Sequence, residues 1–235
     1  MTSRVAKEIL TQTSIKEVKD LENEIVARFS DLPRHTEAIR GVRREFTKQL
    51  TKASSDRIVQ LALRLIEQSD SSYRFFAYEL VLHHKNARRS LNAAKLQELG
   101  RGLASWVAVD TFACYLAGPA WREQQVSDSL IKSWARSRDR WWRRAALVST
   151  IPLNNRARGG RGDPLRTLEI CEMLVSDRDV MVVKALSWAL RELAKRDPKS
   201  VRDFLTNHGG VLAPLVSREV NNKLSTGLKN PRRTG

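Results

Sequence analysis

The residue best suited to chemistry in this chain is a lone carboxylate. Asp110 interrupts the apolar run Leu103-Ala104-Ser105-Trp106-Val107-Ala108-Val109-Asp110-Thr111-Phe112-Ala113. A charge in such surroundings is costly unless it is paired or opens onto a cleft. Asp110 therefore suits one of two tasks: bonding a neighbouring amide or arginine, or offering negative charge to a developing cation and an oriented water. Trp106 lies four residues earlier, on the same face if the run is helical. Trp188, in Lys184-Ala185-Leu186-Ser187-Trp188-Ala189-Leu190-Arg191-Glu192, is either core or an aromatic face for a cation. Arg144, in Trp141-Trp142-Arg143-Arg144-Ala145-Ala146, suits an ion pair or a phosphate. No other chemistry stands out. His83 and His84 are adjacent and diverge on a helix, and His35 and His208 are isolated, so solvated or capping roles are expected for all four. There is no P-loop, dinucleotide fingerprint, Ser-His-Asp pattern or metal-ligand spacing, so neither metal nor cofactor is expected.

The elements that must position these residues are helices. Ile58, Leu61, Ala62 and Leu65 form one stripe at three- and four-residue spacing, and Val182, Ala185, Leu186, Ala189, Leu190 and Leu193 form another. Eleven glycines and seven prolines are too few for the tight turns of a sandwich or barrel. Ser, Asp, Asn, Pro and Gly punctuate the helices at about 30–34, 52–56, 69–72, 85–90, 118–120, 135–139, 152–164, 176–178, 197–199 and 208–214. Asp139 to Ala145 superimposes on Asp179 to Ala185, an acidic start followed by a cation and an alanine, and Ser71 to Ala77 has the same shape. Helix pairs recurring every 35–45 residues or so predict an all-α fold, an α-solenoid of HEAT-like helical repeats whose inner helices line one concave face. The bland alternative is an irregular helical bundle. One repeat domain is expected over 1–235, with less regular N-terminal helices at 1–55, a repeat core at 56–226 and a basic, frayed tail at 227–235.

Charge narrows the partner. The net charge is +16, and half of that surplus falls between Lys132 and Arg166, where ten cations, nine of them arginine, face only Asp139 and Asp163. Arginine suits bidentate phosphate contacts. Trp121, Trp134, Trp141 and Trp142 lie in or beside this stretch, and basic residues interleaved with aromatics favour nucleic acid over a membrane surface. Arg143, Arg144 and Lys184, with Arg156, Arg158 and Arg161 of the 152–164 segment, are the candidate phosphate contacts. That segment, with three glycines and three arginines, reads as a mobile cationic loop. No zinc finger, RRM or basic zipper is present, so phosphate and shape recognition is expected rather than sequence reading. No apolar run approaches the roughly 20 residues that span a bilayer, the first residues are polar and charged, and Cys114 and Cys171 sit in apolar surroundings as reduced thiols. A cytoplasmic protein is expected, and a monomer is the simplest assembly.

The motifs also resemble a known family. Ser105 to Asp110, Trp141 to Ala146 and Lys184 to Glu192, in this order and at these intervals, are similar to the AlkD-type DNA alkylation-repair glycosylases. Leu212-Ala213-Pro214-Leu215-Val216-Ser217-Arg218-Glu219 is similar to that family's closing helix. The resemblance runs from about residue 70 to 224, and before residue 60 only Ile39 to Leu50 looks related. It implies a HEAT-like fold and excision of cationic N3- and N7-alkylpurines from duplex DNA, by hydrolysis and without base flipping. It also implies that Asp110 is the catalytic carboxylate, Trp106 and Trp188 the cleft tryptophans, and Arg144 a contact to the DNA backbone. Two departures stand out. Val180 and Met181 occupy positions that are usually aromatic, and Tyr73, Phe75 and Phe29 are the available substitutes for an N-terminal cleft aromatic. The rival reading is a non-catalytic helical-repeat scaffold that binds DNA or RNA, since HEAT repeats host many functions.

Overall fold

The computed structural model describes residues 2–231, with the side chains of 16–231, and no strand occurs among the described residues. The protein is all-helical. Its contacts cluster into two compact units, 1–99 and 100–235.

The first unit contains α1 (Thr2–Phe29), α2 (Thr36–Gln49), α3 (Ser55–Ile66), α4 (Ser71–His83), α5 (Lys85–Arg89) and α6 (Ala93–Leu99). Helix α3 packs between α1 and α4, and α2 lies against α4. The stripe of Ile58, Leu61, Ala62 and Leu65 is fully buried in this contact. Burying each of the large members is worth about 1.5–3 kcal/mol. Two histidines start helices: His35 Nδ1 accepts from Ala38 N at 3.2 Å, and His84 Nδ1 accepts from Ala87 N at 3.1 Å. Helix α4 starts one residue before the expected repeat register, because Asp70 rather than Ser71 is its N-cap and accepts from Ser72 N.

The second unit contains α7 (Trp106–Phe112), α8 (Gly118–Arg122), α9 (Asp128–Ala135), α10 (Arg140–Ser149), α11 (Ile151–Asn154), α12 (Pro164–Met173), α13 (Val180–Leu193), α14 (Pro198–His208) and α15 (Pro214–Thr226). Helices α7, α10, α13 and α15 lie side by side in that order, and α9 and α12 back α10 and α13. The expected repeat is visible here. Asp139 and Asp179 are the N-caps of α10 and α13, accepting from Trp141 N and Met181 N at 2.8 Å, and Ala145 and Ala185 are both fully buried. The caps satisfy helix-start N–H groups that would otherwise be orphaned. Both cysteines are buried and free, and burial pushes the Cys114 thiol up to about 12.

Two expectations about connections need correction. The break expected at 118–120 is not a break. Between α7 and α8 the chain widens into a π-helical segment, Ala113–Ala117, in which Gly118 N donates to Ala113 O, and the helical path runs on through Gly118 and Pro119. Gly118 serves close packing: a Cβ there would lie 2.6 Å from Ser149 O and 2.7 Å from Pro152 Cγ. Gly118→Ala should gain about 1 kcal/mol of helix propensity and lose more to overpacking, for a net destabilisation of about 1–3 kcal/mol. A lower urea midpoint at unchanged slope is the expected result. The expected loop at 152–164 is a fastened turn. Arg196 donates to Asn154 O at 2.8 Å and Gly160 O at 3.1 Å, Asp163 N donates to Asn154 Oδ1 at 2.9 Å, and Arg122 donates to Pro152 O and Arg158 O. Glycines that read as flexible serve a left-handed bend at Gly159 (φ 82°) and close backbone approach at Gly160. The tail folds back in part: Lys229 Nζ lies 3.2 Å from Glu219 Oε1, and Asn222 donates to Lys229 O. Its last residues, 232–235, lie outside the described ones.

Candidate functional site

Helix α7 starts at Ser105, whose hydroxyl accepts from Ala108 N at 3.3 Å. That cap places Trp106 in the first turn, 54% exposed, and Asp110 one turn later. An aromatic cluster holds the other face. Phe112, Trp134 and Trp142 meet with ring centroids 4.9–6.1 Å apart, and Trp142 closes against Gly100, where a Cβ would lie 2.3 Å from the ring.

Asp110 is forked by an arginine from the neighbouring helix. Arg144 Nε donates to Oδ1 and Nη2 to Oδ2, each at 2.8 Å, while Nη1 donates to Met181 O at 2.5 Å. Three helices thereby meet at one guanidinium: α7 supplies the carboxylate, α10 the arginine and α13 a first-turn carbonyl. Arg144 is almost wholly buried, whereas the Asp110 side chain keeps 18% of its surface exposed. Burial pushes the Asp110 carboxyl above its ordinary range, and the Arg144 guanidinium pulls the other way. The result is an oriented carboxylate whose in-plane oxygens are held from behind and whose remaining surface faces solvent.

The other expected site residues divide by their surroundings. Met181, Lys184 and Trp188 share a stripe of α13 by spacing, half-buried, exposed and half-buried, between the buried Val182, Ala185, Leu186 and Ala189. Trp188 is thus about two turns from the carbonyl that bonds Arg144, on a helix fixed to α15 by Ser187, which donates to Glu219 Oε2 at 2.6 Å. Val180, at the start of α13, is 58% exposed. Arg143 is engaged within the fold, donating to Asp177 at 2.7 Å and to the carbonyls of Ser137 and Arg138. Arg156 and Arg161 are exposed with no carboxylate within ion-pair distance among the described residues, and the same holds for Lys184, Arg136 and Arg138. Arg158 stacks over Tyr115 at 5.2 Å, which fastens the 156–158 turn to the π-helical segment.

The tryptophans are a correction. Trp121 and Trp134 are 1% and 4% exposed, so half of the aromatic-basic interleaving is core packing. Trp121 Nε1 donates to Asp128 at 2.7 Å. Phe29 and Tyr73 are likewise buried, stacked at 4.7 Å inside the first unit, and only Phe75 of the three possible N-terminal aromatics is half-buried. The sequence offers an arginine partner for Asp110 and an ion pair for Arg144 as alternatives, and the structure joins the two. The signal was that an isolated carboxylate in an apolar helix calls for a cation.

The sequence profile described as DNA alkylation repair enzyme matches residues 12–224. The chain belongs to the DNA alkylation repair enzyme family. A search of curated proteins gives no match. Among solved structures, smu.31 from Streptococcus mutans UA159 is similar, at 18% identity and a TM-score of 0.54, over 91% of this chain and 98% of that one. That likeness supports the helical fold of this alkylation-repair protein. Among the described residues no helix is long and apolar enough to cross a membrane.

Proposed function

We propose that this protein is a monofunctional DNA glycosylase that hydrolyses the N-glycosidic bond of cationic N3- and N7-alkylpurines in duplex DNA, with no cofactor and as a monomer. The Asp110–Arg144 fork beside an exposed Trp106 carries this reading. An alkylated purine already bears positive charge, so its N9–C1′ bond is weak. The bond breaks with its electron pair leaving on the base, which neutralises it, and an oxocarbenium-like sugar remains. Asp110 stabilises that cation and orients the water that adds to C1′. Trp106 and Trp188 present ring faces to the cationic base or sugar, worth about 0.5–2 kcal/mol each. A half-exposed tryptophan in the first turn of α7 favours a lesion met in place over one flipped into an enclosed pocket. Lys184, Arg156, Arg158 and Arg161 contact phosphates.

The second reading is a non-catalytic scaffold. One observation favours it: a forked ion pair is also a stabilising arrangement in proteins that do no chemistry. Release of free base decides. Methylated duplex DNA incubated with excess wild-type protein should yield free 7-methylguanine and 3-methyladenine and leave abasic sites. Tight duplex binding without release, from methylated DNA and from bulkier N7 and N3 adducts alike, would leave the scaffold.

A further inference from the structure

A polar cavity lies on the same helical path as Asp110, beyond the π-helical segment. A cavity of about 310 Å³ opens at the end of α8, lined by Arg122, Glu123, Leu153, Gly159, Arg161, Gly162, Asp163 and Arg166. Three arginines from three places in the chain converge there. Two are fixed by the protein. Arg122 donates through Nε to Glu123 at 3.0 Å and through Nη1 to Pro152 O and Arg158 O. Arg166 donates through Nε to Asp163 at 2.6 Å and through Nη1 to Trp121 O at 3.0 Å, with its guanidinium 5.0 Å over the Trp121 ring. In both residues Nη2 has no hydrogen-bond partner among the described residues, although their side chains are only 23% and 21% exposed. Arg161 is exposed and unpaired at the mouth. Glu123 and Asp163 offset two of the three charges and orient their arginines, so the cavity keeps one net positive charge and a set of unmatched N–H donors. The N-terminus of α12 adds a favourable dipole.

The wall is shaped as well as charged. Gly159 has φ 82°, and a Cβ there would lie 3.2 Å from Arg122 Nη1. The backbone at this point leaves open the space in front of the guanidinium.

We infer that Arg122, Arg161 and Arg166 form a cradle for a phosphate oxyanion, and that its source is a backbone phosphate of the duplex away from the lesion. Guanidinium groups already held by the fold lose little freedom on binding, and the Nη2 groups of Arg122 and Arg166 remain to donate to phosphate oxygens. Arg122 follows Asp110 by twelve residues, roughly 18 Å of helix, which is at most about five phosphate steps along one strand. The cradle would fix the register of the duplex while the Asp110 site does chemistry. This assignment extends the glycosylase reading by adding a contact, but it does not depend on base release.

The test is the salt dependence of affinity for undamaged duplex in wild type, Arg161→Gln and Gly159→Ala. Gly159→Ala fills the cradle without changing charge. Both variants should lower the slope of log K against log salt by about 1. Their losses of affinity should shrink as salt rises. Thermal melts with inorganic phosphate separate the sources. A rise in melting temperature for wild type but not for Arg161→Gln, with the DNA slope unchanged, supports the cradle and overturns the duplex as its source. If Gly159→Ala does not fold, Arg161→Gln with the phosphate melts still decides. Unchanged slopes together with no phosphate-induced rise would overturn the cradle. Loss of slope in a wild-type background that releases no base would leave the cradle standing and remove the glycosylase reading.

Discussion

Asp110→Asn is expected to bind duplex DNA as well as the wild type and to release alkylated base at least about a hundredfold more slowly, the scale seen when one preorganised electrostatic group is removed. The substitution is nearly isosteric, and Asn Oδ1 can still accept from Arg144 Nε. What disappears is the negative charge that meets the sugar cation. The affinity prediction matters as much as the rate. A carboxylate in a basic surface repels phosphate, so its removal should leave duplex affinity unchanged or slightly higher. A scaffold predicts the same affinity result and has no release to lose. A misfolded variant would lose both, and its thermal melt would show it. Single-turnover release of 7-methylguanine at measured, saturating affinity separates the three.

The fold was legible because its signals are local. Stripes at three- and four-residue spacing, and an aspartate before each of α10 and α13, are consequences of helix geometry and N-terminal orphan groups, and both are written in consecutive residues. The errors came where one residue type serves two physical ends. Gly118-Pro119 reads as a break, yet the glycine admits Ser149 O and Pro152, and the π-helical widening precedes the proline that lacks an N–H. The glycines of 159–162 read as mobility, yet arginines distant in sequence, Arg122 and Arg196, bond the carbonyls of that turn. Tryptophans beside arginines read as a nucleic-acid surface, while Trp121 and Trp134 are core. The site divides in the same way. Trp106 and Asp110 share one helix face and could be joined on paper. The pairing of Asp110 with Arg144 crosses 34 residues. So does much of what makes the cradle: Arg166 reaches Trp121 O across 45. Such contacts depend on which helices become neighbours, and no spacing rule states that.

The arginine of the fork gives the sharper second prediction, because sequence resemblance and geometry assign it different work. The resemblance implies a contact to the DNA backbone. The geometry shows a guanidinium with 5% exposure and with Nε, Nη1 and Nη2 all donating to Asp110 and Met181 O. In that position its effect is on Asp110. Burial raises the carboxyl's pKa and Arg144 opposes the rise, and a duplex laid over the site would add phosphate charge in the direction of burial. The working form is the anion. Base release should therefore fall as pH drops through the folded pKa of Asp110, at a pH above the ordinary carboxylate range. Arg144→Gln removes the lowering influence, so the acidic limb should move to higher pH. Release at neutral pH should drop by tenfold or more and recover in part as pH rises, and Arg144→Lys should restore part of the profile. The salt slope of duplex binding should not change. A slope lower by about 1 with an unmoved pH profile would instead make Arg144 a phosphate contact, and Asp110 would then have to be held in place by its helix alone.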